Sequence, residues 1–260
     1  IEEPPQSPDQ IGCILEVNSG VARVARAQTR NHEECLSAAA KGKLGSAPAA
    51  FDACLLADLP GRVAEAEQKL ALSETQACSP ADPPALALGD DRLSGLPAAS
   101  ELPAALVRDV FGAPAAALSA REARRAAVCQ REVLKRTNAL FDAIWSDIRH
   151  AQSMKLEGRG TTPATSDADL SAFLVERLAG SARIRKSQEK LLHRAASRCE
   201  GVDLAEIFPG CSPSHLLDFA ACSVQMTRCR ACELLLEANS RLVVDCDAFD
   251  DGVTNASCAP

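Results

Sequence analysis

Cys229-Arg-Ala-Cys232 sets two thiols about one helical turn apart. Such a C-x-x-C supports two kinds of chemistry. At a helix N-terminus the dipole lowers a thiol pKa, and the pair can cycle between dithiol and disulfide. Together with His215 and Cys222, the same cysteines form a candidate zinc set. A thioredoxin-like pair, however, follows a strand in a βαβ context, and no such pattern surrounds this one. Glu233 rather than His comes next, so the motif is not a c-type haem site. With ten other cysteines in the chain, structural disulfides are the leading expectation.

A second cluster lies downstream. Asp245, Asp247, Asp250 and Asp251 precede Gly252, with Asn255 beyond. Hard cations such as Ca²⁺ take several oxygens from a short loop, so these five residues form a candidate metal set. The spacing departs from an EF-hand, and the competing reading is an acidic turn closed by Asp-to-backbone bonds. His32, His150 and His193 stand alone on helical patterns and read as surface residues. No G-x-S-x-G, P-loop, H-E-x-x-H or G-x-G-x-x-G occurs. No catalytic residue is expected, and no cofactor other than calcium.

The elements that would position these groups follow from the remaining cysteines. Cys13 and Cys35 are 22 apart, and Cys54 and Cys78 are 24 apart. Folded as two antiparallel helices, these intervals span about 33 and 36 Å. The outer pair Cys13–Cys78 and the inner pair Cys35–Cys54 can then close together. The apolar and small positions Ile14, Val17, Val21, Val24, Asn31 and Cys35 recur at three- and four-residue spacing through Gln28, one stripe of a long helix over about 10–44. Asp58 reads as an N-cap and Pro60 as a first-turn residue, which kinks the return arm.

A second long helix is expected over about 114–157, and a return helix from Ser166 or Asp167 to about 199. Cys13-Ile-Leu-Glu-Val17 and Cys129-Gln-Arg-Glu-Val133 repeat C-x-x-E-V at an offset of 116, so an internal repeat is expected, with Cys129 bonded to Cys199. The domain reading is a Pro-rich arm over 1–9, a first hairpin over 10–79 and a Pro/Gly/Ala-rich connector over 80–113. The second hairpin follows over 114–201 and a cysteine-rich module over 202–260. In that module Ser212 and Pro213 open one helix, a second follows from about 228, and Leu242-Val243-Val244 reads as extended. A turn near Thr227 predicts Cys222–Cys232, Cys211–Cys246 and Cys229–Cys258. The fold class is all-α: two stapled helical hairpins and a small helical module.

Composition bounds the function. Apolar residues make up 47% of the chain and aromatics 3%, with no Tyr and one Trp. Alanine-rich helices fit that core, and aromatic stacking platforms for sugars or single-stranded nucleic acid do not. The net charge of −7 disfavours nucleic acid as a partner. Arg121, Arg124, Arg125, Arg131, Lys135 and Arg136 follow a helical pattern and read as a solvated face. Twelve cysteines imply an oxidising compartment. No run approaches 18 apolar residues, so no transmembrane segment is expected. The chain begins at Ile1, and the expectation is a secreted or periplasmic protein whose signal peptide has been removed.

The cysteine-bridged hairpin, the Pro/Gly-rich break and the ending CDAFDDGVTNASC resemble a loose group of uncharacterised secreted, cysteine-rich helical-hairpin proteins of bacterial genomes. The resemblance covers residues 13–78 and 211–258 and implies no activity. In topology alone the double staple also resembles the twin-cysteine hairpins of mitochondrial carriers, whose C-x9-C spacing is absent here. The functional expectation is a non-enzymatic structural or interaction subunit of an extracellular assembly or envelope complex, acting through protein partners or self-association. Metal binding and thiol-disulfide exchange are the alternatives.

Overall fold

The structure, a computed structural model, describes residues 6–44, 48–58, 60–78, 82–113, 115, 117–118, 123–211, 215–251 and 258. It is all-helical, with no strand among the described residues. The first half contains α1 (Pro8–Ala40), α2 (Pro48–Leu56), α3 (Arg62–Ala77) and α4 (Gly95–Phe111). The second half contains α5 (Arg124–Leu156), α6 (Asp167–Ala179), α7 (Ala182–Arg198), α8 (Leu204–Ile207), α9 (Leu216–Ala238) and α10 (Cys246–Asp251).

Local chemistry sets the helix starts. The Ser7 hydroxyl accepts from the Gln10 N–H at 3.2 Å, and the Gln10 side chain accepts from the Ser7 N–H at 2.9 Å. This capping box places Pro8 in the first turn, where no N–H is needed. The return arm does break near Pro60. Gly61 adopts φ +71 there, and the Asp58 carboxylate accepts from the Ala64 N–H at 2.9 Å.

The long helices α1 and α5 are the central pair. Both are 33 residues long, and both begin and end 116 residues apart. Shifting one by 116 superposes sixteen of the eighteen buried positions in each, so the two present equivalent faces to the core. Gly42 and Gly158, the same distance beyond each helix end, both adopt positive φ. The helix α3 runs back along α1 and α7 runs back along α5, while α4 and α9 pack on each other and against the central pair.

Several elements differ from their sequence reading. The return arm of the second hairpin is two helices, because Gly180 ends α6 and the Ser181 hydroxyl caps α7 by accepting from the Ile184 N–H at 3.1 Å. The region read as a connector contains the helix α4. This helix starts at Gly95, holds Pro97 in its first turn and accommodates Pro103 in its buried interior. The helix α5 starts at Arg124, ten residues later than expected. No turn interrupts α9 near Thr227. Ser212 and Pro213 lie outside the described residues.

Two interior features tie the halves together. Asn18 on α1 and Asn239 after α9 exchange side-chain hydrogen bonds of 2.9 Å, and Gln152 Nε2 on α5 donates to Asn239 Oδ1 at 3.1 Å. All three residues are fully buried, which makes this amide cluster a specific join of three elements. At the opposite end of α4 and α9, Phe111 meets Phe208 edge-on at 5.1 Å, and Phe208 stacks on Phe219 at 4.6 Å.

Candidate functional site

All twelve cysteines are in disulfides. The structure joins Cys13 to Cys78, Cys35 to Cys54, Cys129 to Cys199 and Cys229 to Cys258. The expected Cys222–Cys232 and Cys211–Cys246 are corrected to Cys211–Cys222 and Cys232–Cys246. The reason is geometric. Cys222 and Cys232 lie ten residues apart on the single helix α9, about 15 Å along its axis. A disulfide needs Cα atoms within about 7 Å. Each sulfur therefore bonds to the segment nearest its own end of the helix, Cys222 to Cys211 before α9 and Cys232 to Cys246 at the start of α10. The uninterrupted run from Leu216 to Ala238, free of Gly and Pro, is the sequence signal for that outcome.

These bonds determine what the C-x-x-C can do. Cys229 and Cys232 are bonded to different partners and are 2% and 0% exposed, so they do not form a dithiol pair. The arginine between them is structural. Arg230 Nε and Nη2 donate to both oxygens of Asp109 on α4, at 2.7 and 3.0 Å, and Nη1 reaches Glu233 at 2.8 Å. Asp109 and Glu233 hold the Arg230 guanidinium above its ordinary pKa. His215 caps α9, its Nδ1 accepting from the Asp218 N–H at 3.3 Å. It therefore faces helix amides rather than a set of thiolates.

The acidic segment is also built into the backbone. Asp245 Oδ1 accepts from the N–H groups of Asp247 and Ala248, at 3.1 and 3.2 Å, and so opens α10. Asp247 accepts from the Cys258 N–H at 3.1 Å. Asp250 is 2% exposed, and its carbonyl accepts from Arg228 at 3.2 Å. Asn255 and the side chain of Asp251 lie outside the described residues. Among the described residues, the one group of three ligand-type side chains within reach of a single ion is Cys229, Glu233 and Cys258, and its two sulfurs are bonded to each other.

Of the histidines read as surface residues, His32 is fully buried. It faces α2, with Nε2 3.1 Å from the Leu55 carbonyl and Nδ1 without a partner. Sequence pattern missed it because its polar label masked its place on the buried face of α1. The cavity lined by Ile144, Leu178, Ile184 and Phe249, with Arg228 at its edge, measures about 170 Å³, below the range of small-molecule sites.

Three surface depressions are lined by charged residues. Two adjoining depressions of about 470 and 800 Å³ lie over the exposed face of α5, between the end of α1 and the end of α7, and share Val128 and Arg198. Arg124, Arg125, Arg131, Lys135 and Arg198 line this trough, and all five are exposed. Three carboxylates also line it: Glu33, Glu132 and Glu200. Glu132 is paired with Arg136 at 2.7 Å, and Glu33 accepts from Asn138 at 3.2 Å. A third depression, between α1 and α3, holds five cations, but four of them face carboxylates: Arg23 with Glu16, Arg26 with Asp142, Arg62 with Glu34 and Lys69 with Glu65.

No family model, no curated protein and no solved structure matches this chain. No described helix is long and apolar enough to cross a membrane.

Proposed function

We propose that this chain is a non-enzymatic protein of an oxidising compartment, secreted or periplasmic. In this reading it is a structural or interaction subunit of an extracellular assembly or envelope complex, working through protein partners or self-association. One observation carries the reading: the C-x-x-C cysteines, His215 and the described carboxylates Asp245 and Asp247 are committed to the fold. The C-x-x-C sulfurs hold α9 to two different segments, the start of α10 and Cys258 beyond it, Asp245 and Asp247 bond backbone amides, and His215 caps a helix. What is left to act is the surface, held rigid by six cross-links.

The test is isolation from the native source without reductant, followed by sizing and electron microscopy. Ordered polymers or a defined larger complex are the expected result. A dispersed monomer with no co-purifying partner overturns the proposal.

A further inference from the structure

The trough over α5 is a surface whose cations no described residue pairs. Arg124, Arg125, Arg131, Lys135 and Arg198 make no hydrogen bond or ion pair with any described residue, in contrast to the paired cations between α1 and α3. Residues 114–201 carry sixteen Lys and Arg against ten Asp and Glu, within a chain whose net charge is −7. Positive charge is therefore concentrated in one hairpin of an acidic protein. Within it, α7 has six Lys and Arg and a single Glu. Arg194 and Lys190 precede Arg198 at four-residue intervals, extending the basic flank beyond the trough.

The form of the surface selects its ligand. Arg131 and Lys135 are about 6 Å apart on one helix face, and Arg124 to Lys135 covers about 16 Å. That suits negative groups repeated along a chain. Leu36 and Leu134 in the floor are 1% exposed, so the trough offers no open apolar socket for the anchor of a protein partner. No aromatic side chain lines it, so nothing there stacks on a base. Its concave form follows a strand-like ligand better than a flat bilayer. Guanidinium groups favour sulfate and carboxylate oxygens through paired N–H donors.

We infer that the trough formed by Arg124, Arg125, Arg131, Lys135 and Arg198 binds a linear polyanionic glycan of sulfated or uronic type. The choice of glycan over nucleic acid rests on the extracellular reading above.

Heparin is the probe. The purified, unreduced protein should be retained on immobilised heparin at about 0.15 M salt despite its acidic pI, with affinity falling steeply as salt rises. The variant R131E/K135E/R198E should lose at least tenfold in affinity. The variant R30E/R177E/R185E makes the same change in net charge at exposed sites outside the trough and should stay within about twofold of wild type. Melting curves check that both variants fold. Wild-type protein that passes through heparin, or equal losses in the two variants, overturns the inference. Duplex DNA or phosphatidylserine vesicles that bind the trough as tightly as heparin overturn the glycan assignment. A monomeric state in native extracts would remove the subunit reading while leaving the heparin result intact, so the two proposals fail separately.

Discussion

His32 shows how a single buried side chain ties stability to pH. Burial pushes its pKa down to about 4, the bond to the Leu55 carbonyl works in the opposite direction, and the Arg108 charge adds to the depression. A histidine in the unfolded chain takes up a proton near its ordinary value of 6.5. Between these two values the unfolded state binds a proton that the folded state refuses. This contribution to stability is complete above pH about 6.5 and lost as pH falls toward 4. The loss is about 3 kcal/mol. Urea unfolding at pH about 7 and about 4 should show it, and His32→Gln should flatten the difference. Equal pH dependence in variant and wild type would mean that the ring is solvated in solution.

At the scale of elements, two contacts decide how the helices assemble. A Cβ added at Gly95 would lie 2.6 Å from Cα and 2.9 Å from Cβ of Ala238, so the close packing of α4 on α9 requires glycine there. Gly95→Ala should destabilise by about 1–3 kcal/mol, because backbone must move to admit it. Gly12 in α1 has nothing within 4 Å, so Gly12→Ala should stabilise by about 0.5–1 kcal/mol. Thermal melts of the two single variants measure the contrast, and destabilisation by both would point to a different packing. The disulfides give a second comparison. Cys129–Cys199 closes a separation of 70 residues, and Cys35–Cys54 closes 19. In the chain-entropy model, replacing the first pair with serine costs about 4 kcal/mol and the second about 3 kcal/mol. Loss of Cys35–Cys54 that costs more than loss of Cys129–Cys199 would show that local strain or packing outweighs loop length.

For the whole molecule, the prediction is complete oxidation. The denatured, unreduced protein should release no thiol, and reduction should release twelve. Reductant should lower the melting temperature sharply, and retention of the native melting temperature would mean that the core alone holds the fold. The sequence by itself carried the helical class, the two central helices, and the staples of the hairpins. Those are local properties: Ile14, Val17, Val21 and Val24 repeat at helical spacing, and matched intervals on antiparallel rods bring Cys13 to Cys78 and Cys35 to Cys54. At the offset of the five-residue match, the two long helices have corresponding bounds and buried positions. Tertiary structure decided the rest. The bonds of Cys211, Cys222, Cys232 and Cys246 depended on whether α9 breaks at Thr227, which helix packing against α4 settles across distant parts of the chain. His32 and the amides of Asn18, Gln152 and Asn239 are polar by type and buried by placement. The basic residues of α5 were visible as a list, but a charge is free or paired only according to which carboxylate the fold brings within about 4 Å. That proximity spares Arg131 and engages Arg23, and no local pattern encodes it.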